Sequence, residues 1–268
     1  MKVAASEWGL SRRFYLPNED AAVVRGALGL CPRAPERPLF VGGSGLLLLD
    51  ASSELEGARP TYVDIAPFQV AYFRQVLAAL EEAAEPADLR RWYVDRVHPE
   101  LAAHYARRGQ TYRPEQALAA LHDLFHIRLF FEAEALARAR VVGRATAIRE
   151  SEVAGYLRAP GEPHDFIYLG NAPDYLGAPD LDGLFAACRR HGAPVYLLET
   201  SACLDPGALR AAWARAGYHL HPGSAELDLR NRGLGSRTLE RSWNRPGQVE
   251  FLVMGDGPAA RAPGGDPR

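Results

Sequence analysis

An apolar run that breaks directly into glycines constrains the fold of this chain more than any other feature. Residues 39–41 (LFV) precede Gly42-Gly43-Ser44-Gly45, and residues 44–55 then show a helical pattern. A second apolar run, TYVDIAP, ends in Asp64, and residues 68–83 are again helical in pattern. The order strand, glycine turn, helix, strand, helix predicts the start of a doubly wound parallel sheet.

The rest of the chain continues this rhythm after one interruption. Residues 86–138 carry only helical patterns, so they are predicted to form a helical insertion. Further strands are predicted at 139–148, 164–171 and 193–200, with helices between and after them. The segments 218–230 and 248–254 are predicted to form an antiparallel pair. The fold class expected is α/β, with a mainly parallel sheet and an antiparallel edge.

Composition excludes several classes of function. A net charge of -2 disfavours nucleic acid as a partner. No apolar window approaches a membrane span, and residues 1–14 lack the apolar centre of a signal peptide. Three cysteines without metal spacing indicate no disulfide framework and a reducing cytoplasm.

His122 and His126 share a helix face, but interhelical hydrogen bonding is the expected use, so no metal is predicted. Small molecules are the expected partners, and a homodimer is left open.

The glycine turn and Asp64 together indicate a nucleotide-type site. Glycines let the backbone approach a ligand closely, and an acid at the tip of the second strand can accept both ribose hydroxyls. The separation of about 20 residues between Gly43 and Asp64 fits this logic. Position 47 is a leucine where a dinucleotide fingerprint has its third glycine, so a tight turn without a ligand stays an alternative.

A polar cluster follows the predicted strand 164–171. Asn171, Asp174 and Tyr175 come directly after its apolar core. The carboxyl ends of parallel strands meet at one edge, so these groups are expected beside the glycine turn and Asp64. The alternative is a capped turn, since Asn and Asp are good turn formers.

These motifs resemble the class I S-adenosylmethionine-dependent methyltransferase fold: FVGGSG matches its glycine-rich motif, VDI its ribose-binding acid and DFIYLGN its fourth-strand motif. The resemblance implies a Rossmann-like, mainly parallel seven-stranded sheet with S-adenosylmethionine as substrate. The domains predicted are an N-terminal helical lid (1–37), the S-adenosylmethionine-binding α/β domain (38–85 and 139–254), the helical insertion (86–138) and a disordered tail (255–268) that is rich in Gly, Pro and Ala. The cofactor-binding residues expected are Gly42, Gly43, Ser44, Gly45, Asp64, Ile65, Thr146, Ala147 and Asn171.

A narrower resemblance concerns the reaction. VDIAPFQ, the helical insertion and N-x-x-D-Y-L at 171–176 look like enzymes that use the 3-amino-3-carboxypropyl arm of S-adenosylmethionine, including azetidine-2-carboxylate synthases. The function expected is attack on the γ-carbon of that arm with release of methylthioadenosine. The specific reaction expected is intramolecular cyclisation to azetidine-2-carboxylate. Asn171, Asp174 and Tyr175 are the expected catalytic residues, and Trp8, Phe14 and Tyr15 the expected lid.

Three other functions stay open. A small-molecule methyltransferase releasing adenosylhomocysteine is the main alternative. A cofactor-binding protein without activity, whose insertion docks a partner, is the second. An NAD-type dehydrogenase is the third, because its site uses the same turn and acid.

Overall fold

The structure is a computed structural model of the 268-residue chain. It describes residues 17, 20–106, 111, 113–199, 206–223 and 249–255.

The described chain forms a sheet of seven strands in the order β3-β2-β1-β4-β5-β7-β6. The strands are β1 (Pro38–Val41), β2 (Thr61–Asp64), β3 (Ala147–Glu150), β4 (Phe166–Gly170), β5 (Val195–Glu199), β6 (Tyr218–Leu220) and β7 (Val249–Gly255). Strands β1 to β5 pair in parallel, whereas β7 runs antiparallel to both β5 and β6. The prediction of a mainly parallel, doubly wound sheet is therefore confirmed. The reversed strand lies one place inside the edge, because β6 pairs outside it.

Helices cover both faces of this sheet. They are α1 (Ala21–Gly29), α2 (Leu46–Asp50), α3 (Pro67–Glu82), α4 (Pro86–Trp92), α5 (His98–Ala106), α6 (Pro114–Ala119), α7 (Ala133–Ala145), α8 (Val153–Arg158), α9 (Ala178–His191) and α10 (Pro206–Arg215). Short 3₁₀ turns follow α2 (Ala51–Ser53) and β4 (Ala172–Tyr175), and single π-helical turns follow α4 (Tyr93–Val97) and α6 (Ala120–Leu124). Asp20 caps α1 by accepting the Ala22 N–H at 2.8 Å.

Alternation along the strands divides the core into two layers. One layer packs α8, α9 and α10 against residues such as Leu39 and Ile167. The other packs α1 to α3, α7 and the helices between them against the opposite face. On that face the register aligns an aromatic row across four strands, namely Tyr62, Phe40, Tyr168 and Tyr196. Helices α1 to α3 and α7 pack against this row of aromatic rings.

The predicted strand 139–148 is wrong over most of its length. Residues 139–145 are the second half of α7, and β3 begins only at Ala147. Leu136, Ala139 and Val142 are buried at helical spacing, while Val141 is 61% exposed. The pair of β-branched valines suggested a strand, but packing of one helical face outweighed that local preference.

A buried carboxylate joins α2 to the helical layer. Asp50 is fully buried at the end of α2 and forms an ion pair with Arg25 of α1. It also accepts the backbone N–H groups of Arg128 and Leu129. Burial raises the pKa of Asp50, and the opposing charge of Arg25 and the hydrogen bonds lower it. One side chain therefore ties α2 both to the N-terminal helix and to the segment that precedes α7.

We expect Asp50→Asn to lower the free energy of unfolding by about 3 kcal/mol, because it leaves the largely buried Arg25 without a counter-charge. Urea denaturation measures this. The control is Asp182→Asn, which breaks an exposed ion pair with Arg215 and should change stability by less than about 0.5 kcal/mol. Equal, small losses in both variants would contradict a stabilising role for Asp50.

Candidate active site

A cleft opens where the chain connections diverge to the two sides of the sheet. β1 lies between β2 and β4, so its carboxyl end is the switch point at which open α/β sheets bind ligands. The cleft encloses about 400 Å³ including its open mouth. It is lined by Pro17, Phe40, Val41, Gly42, Gly43, Ser44, Gly45, Leu47, Leu48, Tyr168, Gly170 and Asn171.

The glycine loop has a backbone conformation that disfavours other residues. Gly42, Gly43 and Gly45 have φ angles of 67°, 70° and 72°. Gly45 is also the N-cap of α2, and a Cβ atom there would lie 2.1 Å from the ring of Phe73. The loop therefore requires glycine at Gly45 both for its φ angle and for its close approach to α3.

Asp64 ends β2 and lies directly beside this loop. A Cβ atom on Gly42 would lie 3.3 Å from Asp64 Oδ2, and the Gly42 N–H donates to the Val63 carbonyl oxygen at 2.7 Å. Asp64 Oδ1 accepts the Ala66 N–H at 2.8 Å. Burial raises the pKa of Asp64 to about 6, although hydrogen bonds from Ala66 and Tyr62 oppose the rise. The carboxylate can therefore accept ligand hydroxyls at neutral pH and lose that ability in mild acid.

The residues predicted after β4 are placed only in part. Asn171 follows β4 and lines the cleft together with the glycine loop. The backbone of Asp174 and Tyr175 belongs to the 3₁₀ turn after it, but their side chains fall outside the described structure. Trp8, Phe14 and Tyr15, predicted as a lid, are also outside the described residues.

Of three further residues predicted to bind the cofactor, one lies at the carboxyl end of the strands and two lie at the amino end. Ile65 follows Asp64 at the carboxyl edge, and its side chain is 54% exposed. Thr146 and Ala147 lie at the opposite edge, because Ala147 pairs with Thr61 at the start of β2. The predicted strand 139–148 ends near Thr146 and Ala147, whereas β3 begins at Ala147. Glu150, which pairs with Asp64, occupies the carboxyl end of β3 instead.

Two residues at the site were missed in the sequence. Tyr62 lies two positions before Asp64 on the same strand face, and Gln69 is a buried polar residue in the apolar stripe of α3. Both donate hydrogen bonds to the Gly43 carbonyl oxygen, at 3.0 and 2.6 Å. An amide within an apolar helical stripe was the signal that could have identified Gln69.

Within the described ranges, no group of three or more His, Cys, Asp or Glu side chains is arranged to hold a metal ion. His126 instead contacts Asp20 at 2.9 Å, and Arg128 meets the carboxylate of Asp50. Among the helices described, none has the length and hydrophobicity to cross a bilayer.

No protein-family model and no curated protein matches the sequence. Among solved structures, the glycopeptide N-methyltransferase MtfA is similar with a TM-score of 0.49 and 12% identity, over 96% of this chain and 100% of that chain. A TehB-like SAM-dependent methyltransferase from Corynebacterium glutamicum has a TM-score of 0.45 and 11% identity, over 88% and 86%. The StiE O-MT, residues 961–1257, has a TM-score of 0.46 and 14% identity, over 88% and 73%. Similarity of this degree assigns no activity to the chain, so function has to be inferred from the site.

Gly45→Ala should destabilise the protein by about 3 kcal/mol, because the new methyl group meets the buried Phe73 ring and φ is positive. Gly57→Ala isolates the φ contribution, since Gly57 has φ 77° with no atom within 4 Å of a new Cβ, and should destabilise by about 1 kcal/mol. Thermal unfolding compares the two variants. Similar losses would show that Phe73 moves aside.

Proposed function

We propose that this chain is an S-adenosylmethionine-dependent enzyme that binds its substrate across the carboxyl ends of β1, β2 and β4. The observation that carries the proposal is the meeting of the glycine loop, the Asp64 carboxylate and Asn171 at one switch point. Sites of this design bind an adenosine moiety by its ribose hydroxyls and leave the attached group over the glycine loop.

The residues present fit such a ligand. Asp64 offers carboxylate oxygens to the ribose, and the exposed Ile65 beside it offers an apolar surface to the adenine ring. The glycine loop and the Asn171 amide are the polar groups expected to hold the amino and carboxylate ends of the methionine arm. When bound, S-adenosylmethionine supplies electrophilic carbons attached to a positively charged sulfur.

Methyl transfer to a small molecule is the first candidate reaction. It requires only that the sulfonium be held beside an acceptor whose lone pair attacks the methyl carbon as the carbon–sulfur bond breaks. The acceptor loses a proton, and adenosylhomocysteine is the second product.

Cyclisation of the aminocarboxypropyl arm is the second candidate, and it is motivated by the sequence of residues 171–176. Asn171 opens the N-x-x-D-Y-L segment that resembles azetidine-2-carboxylate synthases, and it lines the cleft. In this reaction the α-amine attacks the γ-carbon, the carbon–sulfur bond breaks, methylthioadenosine leaves and the amine loses a proton. The reaction therefore needs a proton acceptor near the amine, for which Asp174 and Tyr175 stay the proposed residues.

The segments around the site take proposed roles. Pro17 lines the cleft, so we propose that residues 1–37 form a lid over the bound arm. The described helices of residues 86–138 contribute to the same core layer as α1, so this helical insertion is the proposed wall of an acceptor site.

The products separate the candidates. We expect purified protein incubated with S-adenosylmethionine alone to give no product if it is a methyltransferase, and adenosylhomocysteine once a suitable acceptor is added. Methylthioadenosine plus azetidine-2-carboxylate in the absence of an acceptor would establish cyclisation instead. Mass spectrometry distinguishes these products. Binding of NADH without binding of S-adenosylmethionine would refute the proposal.

Asp64→Asn should raise the dissociation constant for S-adenosylmethionine at least about 10-fold, because an amide cannot accept two ribose hydroxyls as an ionised carboxylate does. Isothermal titration calorimetry measures this constant. Asp182→Asn, on α9 away from the cleft, is the matched control and should bind as the wild type does. Unchanged affinity in Asp64→Asn would remove the ribose role.

Affinity should also depend on pH. The pKa of Asp64 is raised to about 6, and the ionised form is the one that accepts ribose hydroxyls. We therefore expect affinity to be constant well above pH 6 and to fall about tenfold per pH unit well below it. The Asp64→Asn variant should lose this dependence. A wild-type profile that is flat between pH 5 and 8 would contradict the assignment.

A further inference from the structure

The carbonyl oxygen of Gly43 is held by two buried side chains from different elements. The Tyr62 hydroxyl of β2 donates to it at 3.0 Å, and the Gln69 amide of α3 donates to it at 2.6 Å. Tyr62 is 0% exposed and Gln69 is 1% exposed, so water has little access to replace either donor. Both lone pairs of this oxygen are thereby used.

This anchoring sets the direction of the loop. A peptide unit is planar and trans, so the Ser44 N–H points opposite to the Gly43 carbonyl. Fixing that carbonyl toward β2 and α3 turns the Ser44 N–H away from them. Glycine has the widest backbone freedom of any residue, so a loop with three glycines needs such anchors to keep one conformation.

Tyr62 also lies close to the Asp64 carboxylate. Its hydroxyl oxygen lies 3.4 Å from Asp64 Oδ2, as well as 3.0 Å from the Gly43 carbonyl oxygen. Its ring is fixed by stacking on Phe73 at 4.2 Å between centroids. Phe73 in turn contacts the position that a side chain on Gly45 would occupy. The loop, Asp64 and α3 thus form one connected unit.

We propose that Tyr62 and Gln69 are positioning residues that hold the glycine loop and Asp64 in a single preformed arrangement for the nucleoside ligand. The inference rests on the proposed function for the identity of that ligand. Neither Tyr62 nor Gln69 belongs to the lining of the cleft. Their effect is to remove the conformational entropy that the loop would otherwise lose on binding.

The first test measures affinity for S-adenosylmethionine in two variants that keep side-chain volume. Tyr62→Phe and Gln69→Met should each raise the dissociation constant about 5-fold, as expected for one hydrogen bond. Tyr218→Phe, a buried tyrosine on β6 at the far edge of the sheet, controls for loss of a phenol. Gln75→Met, exposed on the same helix as Gln69, controls for the amide. Both controls should bind as the wild type does.

The pH profile distinguishes positioning from a general loss of packing. The single hydroxyl hydrogen of Tyr62 is shared between the Gly43 carbonyl oxygen at 3.0 Å and the more distant Asp64 Oδ2 at 3.4 Å. Because the contact with the carboxylate lowers the pKa of Asp64, Tyr62→Phe should move the midpoint of the affinity profile above the wild-type value near pH 6. The groups that shift the pKa of Asp64 are its own burial and the hydrogen bonds from Ala66, Tyr62 and Ile65, so Gln69→Met should weaken binding without moving that midpoint. A merely destabilised protein would not separate the two variants in this way.

A ligand-free measurement keeps the inference distinct from the proposed function. Hydrogen exchange of the amides of residues 42–45 should be faster in both variants and unchanged in both controls. If the wild type does not bind S-adenosylmethionine, the proposed function fails, whereas unchanged loop exchange overturns the positioning role by itself. Wild-type affinity in both variants, or equal losses in variants and controls, would also overturn it.

Discussion

The absence of a side chain at Gly45 is the constraint on which the site depends. The loop can leave β1, reverse its direction and begin α2 only if its residues take positive φ angles and α3 can approach to contact distance. Close packing of Phe73 on Gly45 places α3 against the loop. The same helix carries Gln69, which donates to the Gly43 carbonyl oxygen. A cleft with the Asp64 carboxylate beside it follows from this close packing, because β1 and β2 are hydrogen-bonded neighbours.

A second constraint connects this loop to the helices above it. Helix α2, which starts at Gly45, ends at Asp50, whose carboxylate is bound by Arg25 and by the backbone before α7. His126 adds a contact to Asp20 at the start of α1. The helical insertion and the N-terminal helix are therefore fastened to the same short helix that carries the glycine loop. A change in the packing of either segment is expected to reach the cleft through Asp50.

Agreement between sequence and structure is best where a motif is local. The glycine turn, Asp64 and Asn171 each lie next to an apolar run, and parallel pairing alone brings the ends of such runs to one edge. Agreement fails at 139–148, where two adjacent valines suggested a strand that the structure does not form. That error displaced Thr146 and Ala147 to the wrong end of β3. A boundary error of a few residues moves a residue from the carboxyl end of a short strand to its amino end, and only the carboxyl end faces the cleft.

By itself, the sequence determined the alternation of strands and helices, the glycine bend and the acid that follows the second strand, because these depend on residue type and spacing along the chain. Tertiary structure alone decided that Tyr62 and Gln69 share the Gly43 carbonyl oxygen, that Asp50 joins α2 to two distant segments, and that Asp64 is buried enough for its pKa to reach about 6. Each of these depends on which atoms are neighbours across elements. Burial and hydrogen bonding between distant residues arise only when the sheet and its helices have packed.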